Sequence, residues 1–305
     1  MPIFPSKMHS AHTIRQMLGL LVLLGMTCNT WAFGCKYSKE INFSRSAADY
    51  TLVEMKALAG QLDVIGTETS EISVEGNVCS DEQNYVDQMD IIAEETGASL
   101  ILTAIIPYDD DDWYASYAHI DITVTLPHAL LIQLRDSSGD ISASDASVIS
   151  VDDSSGGIRI IDNLTALELN DSSGDIDIRG SKGTLTIVDS SGKIDIRDID
   201  GNVLIPRDSS GDIEIDTVSG SVTIERDGSG SIDIENVQLN VSIDSDGSGD
   251  VEIDSVKGSV DIGSDGSGSV KVSRVGGDFT VLSKGNGDIH SREIEGNTSI
   301  PAQRS

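Results

Sequence analysis

Aromatic side chains make up 4% of this 305-residue chain, which holds only six prolines, five histidines and three cysteines. Basic residues are scarce as well: 20 lysines and arginines stand against 51 acids, a formal charge of −31. A surface this negative repels phosphate backbones and anionic headgroups, which excludes nucleic-acid and membrane-surface binding. With so few aromatics, a core must be built from branched aliphatics, and that favours strands over helices. Apolar content of 38% is lowish, yet too rich in Ile and Val for a disordered acidic tail. Beyond residue 32 the histidines are His119, His128 and His290, too scattered to give a metal-ligand spacing.

Long apolar runs are absent except for one near the N-terminus. Lys7, His9, His12 and Arg15 precede the run Met17–Met26, and a short polar stretch then ends in Thr30-Trp31-Ala32. This is the pattern of a secretory signal cleaved after Ala32, so residues 1–32 stand outside the fold. The run is far short of the ~20 apolar residues of a membrane span, which weighs against the rival reading of an anchor. The mature chain is therefore expected outside the cytoplasm, in the periplasm or at the cell surface, with no integral membrane segment. Cleavage removes Cys28 and leaves Cys35 and Cys79. An even pair in an exported chain reads as one disulfide, contributing ~3–4 kcal/mol through the unfolded state. The alternative is lipidation of Cys35. Ala32-Phe33-Gly34-Cys35 lacks the aliphatic residue expected three positions earlier, and lipidation would leave Cys79 unpaired.

From residue 136 the chain repeats itself. Asp-Ser-Ser-Gly starts at Asp136, Asp153, Asp171, Asp189 and Asp208, Asp-Gly-Ser-Gly at Asp227, Asp246 and Asp265, and Lys284-Gly-Asn-Gly closes the series. The steps are 17, 18 and 18 residues, and 19 thereafter. Apolar positions keep register through the copies: Ile213, Ile215, Val218, Val222 and Ile224 recur as Ile232, Ile234, Val237, Val241 and Ile243. Pairs two residues apart signal strands, and no copy has room for a crossover helix. The expectation is an all-β protein, a parallel β-solenoid (single-stranded β-helix) of about nine coils of 17–19 residues. Nine coils at ~4.8 Å each make a ladder roughly 40 Å tall. Its ends need covering. Residues 33–130 are expected to form a small β-rich capping domain, and residues 131–305 the solenoid, closed after Ile294 by a stretch containing Pro301. Alternation near Tyr50–Ala57, Gly60–Val64, Glu71–Val74, Leu100–Ile105 and Ile120–Leu126 suggests an antiparallel sheet in the capping region. Val86, Met89, Ile92 and Ala93 stand at helical spacing within Asp81–Thr96.

A signal segment, a cysteine just after it, a second cysteine ending Glu75-Gly-Asn-Val-Cys79 and the Asp-(Ser/Gly)-Ser-Gly-Asp-Ile repeats together resemble the bacterial putative-adhesin family of exported β-strand-repeat proteins. The resemblance covers nearly all of the mature chain. It implies export and surface attachment, and brings no catalytic residues.

Two groups of residues are candidate sites. Stacked coils would place Asp208, Asp227, Asp246 and Asp265 in one column with the earlier copies, and Asp212 and Asp250 in a second. Stacked carboxylates must bond turn amides, raise their pKa values or collect cations. The functional reading is Ca²⁺, since Asp244-Ser-Asp246-Gly-Ser248-Gly249-Asp250 follows the opening spacing of a calcium loop, although its twelfth position is Ser255. The plainer reading is that each first aspartate caps its own turn, and no cofactor is needed. The second group is the loop of Asp109, Asp110, Asp111, Asp112, Trp113 and Tyr114, where aromatics beside acids can stack on a sugar or hold a cation. Its plainer reading is a solvated charge run. Unbroken coils and the lack of a Gly-x-Ser-x-Gly elbow argue against an enzyme. Charge is uneven: residues 33–135 hold five bases against 18 acids, 136–270 eight against 29, and 271–305 five against four. The sequence thus points to a non-enzymatic, adhesin-like binding or structural module of the envelope, its partner a surface, a glycan or an envelope protein. A calcium-stiffened rod is the alternative.

Overall fold

The computed structural model describes residues 35–107 and 117–301. The signal segment and the candidate residues Asp109, Asp110, Asp111, Asp112, Trp113 and Tyr114 lie outside the described residues. The N-terminal part runs β1 (Tyr37–Ser46), β2 (Leu52–Lys56), β3 (Leu62–Thr67), β4 (Glu71–Ser80), α1 (Gln83–Gln88), β5 (Asp90–Thr96), β6 (Ser99–Ile105) and β7 (Ala118–Pro127). The strands β8 (Leu131–Arg135) and β9 (Ile141–Ser144) follow, and from there each coil gives one strand to each of two 13-stranded sheets. The chain is an all-β parallel solenoid.

Branched aliphatic side chains stack in register from coil to coil. In the first sheet Ile176, Ile194, Ile213, Ile232 and Val251 occupy one position on successive strands. In the second, Leu185, Val203, Val222, Val241 and Val260 do the same. All ten are buried between the sheets. One coil alone could not bury such a face, and the period-2 alternation turns the residues between each apolar pair, such as Asp177, Glu214 and Thr223, outward.

Both sheets run across residue 130, so the change in sequence pattern there is no break in the fold. β2 and β3 form a further coil. β2 pairs in parallel with both β6 and β8, and β3 with both β7 and β9. The coil that precedes β8 in the stack is thus residues 52–67, and the later segments β6 and β7 lie beyond it. Antiparallel pairing, expected throughout this region, holds only for β1–β4–β7 and β5–β6. Alternation reveals a strand but not the direction of its partner. Here continuity decides, because Val53 and Met55 extend the column of Ile132 and Leu134. The antiparallel strands and α1 gather at this end of the stack.

The helix is also shorter than its spacing suggests. It stops at Gln88, and β5 begins at Asp90. Met89 and Ile91 are buried whereas Ile92 is 43% exposed, so the period has changed from helix to strand within the expected span. Cys35 and Cys79 are bonded, with Cα atoms 5.3 Å apart, tying the start of β1 to the end of β4.

Candidate functional site

Each repeat turns its first corner at the Asp-x-Ser-Gly segment. The glycine there cannot be replaced: Gly230 has φ +139°, and a Cβ on it would lie 1.7 Å from the carbonyl oxygen of Gly211 in the previous coil. Close stacking at this corner turns the first aspartates inward. Asp136, Asp153, Asp171, Asp189, Asp208, Asp227, Asp246 and Asp265 are all buried, at 7% exposure or less.

The two turn sequences treat these carboxyls differently. In the Asp-Ser-Ser-Gly copies starting at Asp153, Asp171 and Asp189 the following amides donate to the carboxylate, Ser154 N to Asp153 Oδ1 at 2.7 Å, Ser172 N to Asp171 at 2.7 Å and Ser190 N to Asp189 at 2.6 Å, whereas both carboxyl oxygens of Asp136 in the first copy have no partner. These bonds are turn caps reaching one residue on, and Ser173, Ser191 and Ser210 reach back two residues to Asp171, Asp189 and Asp208. In the Asp-Gly-Ser-Gly copies the glycine amide is used elsewhere. Gly228 N donates to the Asp208 carbonyl, Gly247 N to that of Asp227 and Gly266 N to that of Asp246, at 3.0–3.1 Å. Both carboxyl oxygens of Asp227, Asp246 and Asp265 are consequently buried with no donor. Burial raises the pKa throughout the column, to about 6 at Asp136 and Asp189. Asp227 is pushed furthest, to about 8, by burial, then by the neighbouring carboxyls of Asp246 and Asp208.

Other predicted residues stand apart from this interior column. Asp212 Oδ1 accepts from Ser231 N and Asp250 Oδ1 from Ser269 N, each at 2.8 Å, so the outer column clamps one coil to the next. Asp244 is exposed on the second sheet, where the Ser242 hydroxyl donates to it at 3.3 Å. The seven acids singled out as calcium ligands therefore occupy three environments. Among the described residues no three His, Cys, Asp or Glu side chains are grouped to hold a metal ion.

Where β7 begins, a hollow of about 740 Å³ is lined by Gln61, Tyr117, His119, Asp121, Ser138 and Asp140, among others. The ring of Tyr117, 54% exposed, meets that of His119 edge-on with centroids 5.0 Å apart. Asp121 Oδ2 lies 3.6 Å from His119 Nε2, and its Oδ1 accepts from Gln61 N at 2.9 Å.

Sequence reasoning missed how different the two outer faces are. In the C-terminal half of the first sheet Glu214, Asp216, Asp233, Glu235, Glu252 and Asp254 sit side by side on three strands. Arg197 and Lys193 pair with Glu214, Lys271 pairs with Glu252, and Arg274 with Asp254. Asp233 has its pKa raised by partial burial and then by Glu252, Glu214 and Asp216. The matching outward row of the second sheet reads Glu168, Thr186, Leu204, Thr223, Ser242 and Asp261, with four neutral positions between two acids. The signal was available in the residue between each apolar pair.

No protein-family model and no curated protein matches the chain. Solved structures are similar to it at low identity. A putative cell adhesion protein from Clostridium sporogenes is 16% identical, with a TM-score of 0.33, over 72% of this chain and 100% of its own. A putative adhesin from Bacteroides fragilis is 14% identical, with a TM-score of 0.34, over 86% and 97%. A putative lipid binding protein from Parabacteroides distasonis is 14% identical, with a TM-score of 0.34, over 88% and 98%.

Proposed function

We propose that the protein is an exported attachment module of a bacterial envelope, acting through its surface and not by catalysis. The observation that carries this reading is the repetition itself. Outward side chains of successive coils stand in straight rows, as Asp177, Asp195, Glu214, Asp233 and Glu252 do along the first sheet. A rigid rod with equivalent positions at each coil suits contact with an extended or repeating partner, where many weak contacts act together. Among the described residues no helix is long and apolar enough to cross a membrane. The disulfide is in keeping with an oxidising compartment. The segment carrying Asp109–Asp112, Trp113 and Tyr114 is the local element proposed to contact the partner, since its sequence sets aromatics beside acids that can stack on a sugar or hold a cation.

The test is binding of fluorescently labelled residues 33–305 to whole cells and to isolated envelopes. Saturable binding above that of an unrelated protein of similar charge is expected, reduced several-fold by W113A/Y114A. Binding no greater than the control overturns the attachment reading. Saturable binding that W113A/Y114A leaves unchanged removes the loop from it.

A further inference from the structure

Each first-sheet strand of the repeats is bent at one residue with left-handed backbone, for instance Asp198 (φ +58°), Thr217 (+60°), Asn236 (+57°) and Ser255 (+59°). Two successive side chains there face outward, and the next, such as Val218 or Val237, turns back into the core. Stacking aligns the bends. Beside them run hollows of about 330, 350 and 870 Å³ that share lining residues: Asp198 and Asp200 belong to the first two, and Gln238 to the last two. They form one furrow along the solenoid from Asp162 to Glu295, eight coils and so about 34 Å at ~4.8 Å per coil.

The middle of this furrow is unlike the rest of the molecule. Thr217, Ser219, Asn236, Gln238 and Ser255 line it, neutral hydroxyls and amides in a chain of charge −31, flanked by Asp198 and Asp200 on one side and by Lys257 and Arg274 on the other. Its backbone donors are already used, since Ser219 N, Gln238 N and Lys257 N bond carbonyls of the preceding coil at 2.9–3.0 Å. Side chains are left for recognition, and four of the five keep part of their capacity: Thr217 and Asn236 donate to Asp216 and Ser219 donates to Asp200, while Ser255 accepts from Arg274. Hydroxyls and carboxamides both donate and accept, which matches the hydroxyls of a sugar. Gln238 is exposed and its amide has no protein partner among the described residues, and Leu239 beside it is 51% exposed. A neutral occupant avoids both the repulsion that an anion meets here and the competition that the acidic first-sheet face offers for a cation.

We propose that the furrow binds an extended neutral glycan lengthwise, with Thr217, Ser219, Asn236, Gln238 and Ser255 as its hydrogen-bonding rungs. This deepens the attachment reading and rests on it. The test is affinity electrophoresis of residues 33–305 in gels containing hydroxyethylcellulose, yeast mannan or dextran, with polygalacturonate as the anionic control. Retardation by at least one neutral polymer and none by polygalacturonate is expected. It should weaken at least tenfold in Q238E, which places a charge in the furrow, and in S219W, which fills it, while both variants keep the wild-type melting temperature. If no neutral polymer retards the wild type, or if both variants are retarded equally with it, the furrow assignment is wrong. Envelope binding by the same variants separates the two ideas: wild-type binding kept by Q238E and S219W sinks the furrow alone, whereas no envelope binding by wild type sinks both.

Discussion

Asp227 and Asp246 stand one coil apart in the interior, bridged backbone to backbone, and neither carboxyl is met by any donor. Two ionised carboxylates in that position would repel without compensation, so a shared proton is the stable arrangement. Folding therefore raises the proton affinity of this column. The stabilisation is fully present below the ordinary carboxyl value of 3.8 and is lost as pH rises through about 6, for Asp136, Asp189 and Asp246, and about 8, for Asp227. The melting temperature at constant ionic strength should fall between pH 5 and pH 9.

Asp227→Asn isolates the column from the general surface charge. The amide carries no charge to repel Asp208 and Asp246, so the variant should melt several degrees higher than wild type at pH 9 and show a flatter profile above pH 7. One retained unit of pKa shift corresponds to ~1.4 kcal/mol. That is a shift of about 3–6 °C for a domain of ~150–250 residues. A profile as steep in the variant as in wild type would assign the pH dependence to the surface acids instead.

Much of this architecture was legible in the sequence because a solenoid writes its geometry as a period. The positions of Ile213 and Ile215, and the Asp-x-Ser-Gly corner, gave the stacked coil and the column of first aspartates, but not that their carboxyls turn inward. The three-residue step from Ile215 to Val218 breaks the period-2 rule and marks the left-handed bend at Thr217, from which the furrow follows. Stack order could not be read, because β2 and β3 are placed by partners that arrive more than sixty residues later in the chain. Nor could the fate of each carboxyl. The change from Ser to Gly at the second turn position looks neutral in sequence, yet it redirects an amide from the side chain of one aspartate to the carbonyl of another.

Thr217 offers a direct test of the bend. A β-branched residue at φ +60° is strained by ~1–2 kcal/mol, whereas Asn tolerates that region, as Asn236 does one coil later. Thr217→Asn should raise stability by about 0.5–1 kcal/mol, read as a higher urea midpoint with an unchanged slope. A lower midpoint would mean that the Thr217 hydroxyl bond to Asp216 outweighs the strain.

Close stacking at the first corner can be separated from backbone conformation by two glycines. Gly97 has φ +61° and open space around it, so Gly97→Ala should cost ~1 kcal/mol from conformation alone. Gly230→Ala adds a methyl carbon against the Gly211 carbonyl, and the coils must part to admit it. A loss of more than ~3 kcal/mol is expected, with new proteolytic cleavage between residues 208 and 231. Equal costs for the two variants would show that the coils yield easily.

Calcium is the remaining question for the acids. The oxygens of Asp212 and Asp250 that face the next coil already accept amide hydrogens, Asp244 lies on the outer face, and Asp208, Asp227, Asp246 and Asp265 point inward. A calcium ion takes six to eight oxygens at 2.3–2.6 Å, and these seven side chains do not converge to supply them. Melting temperatures of residues 33–305 in EDTA and in millimolar Ca²⁺ or Mg²⁺, at fixed ionic strength and pH 7.5, should agree within two degrees. A rise of ten degrees specific to Ca²⁺ would instead require sites that bind the folded state. In that event the orphaned oxygens of Asp227, Asp246 and Asp265 would be its first ligands, and Asp227→Asn should abolish the rise.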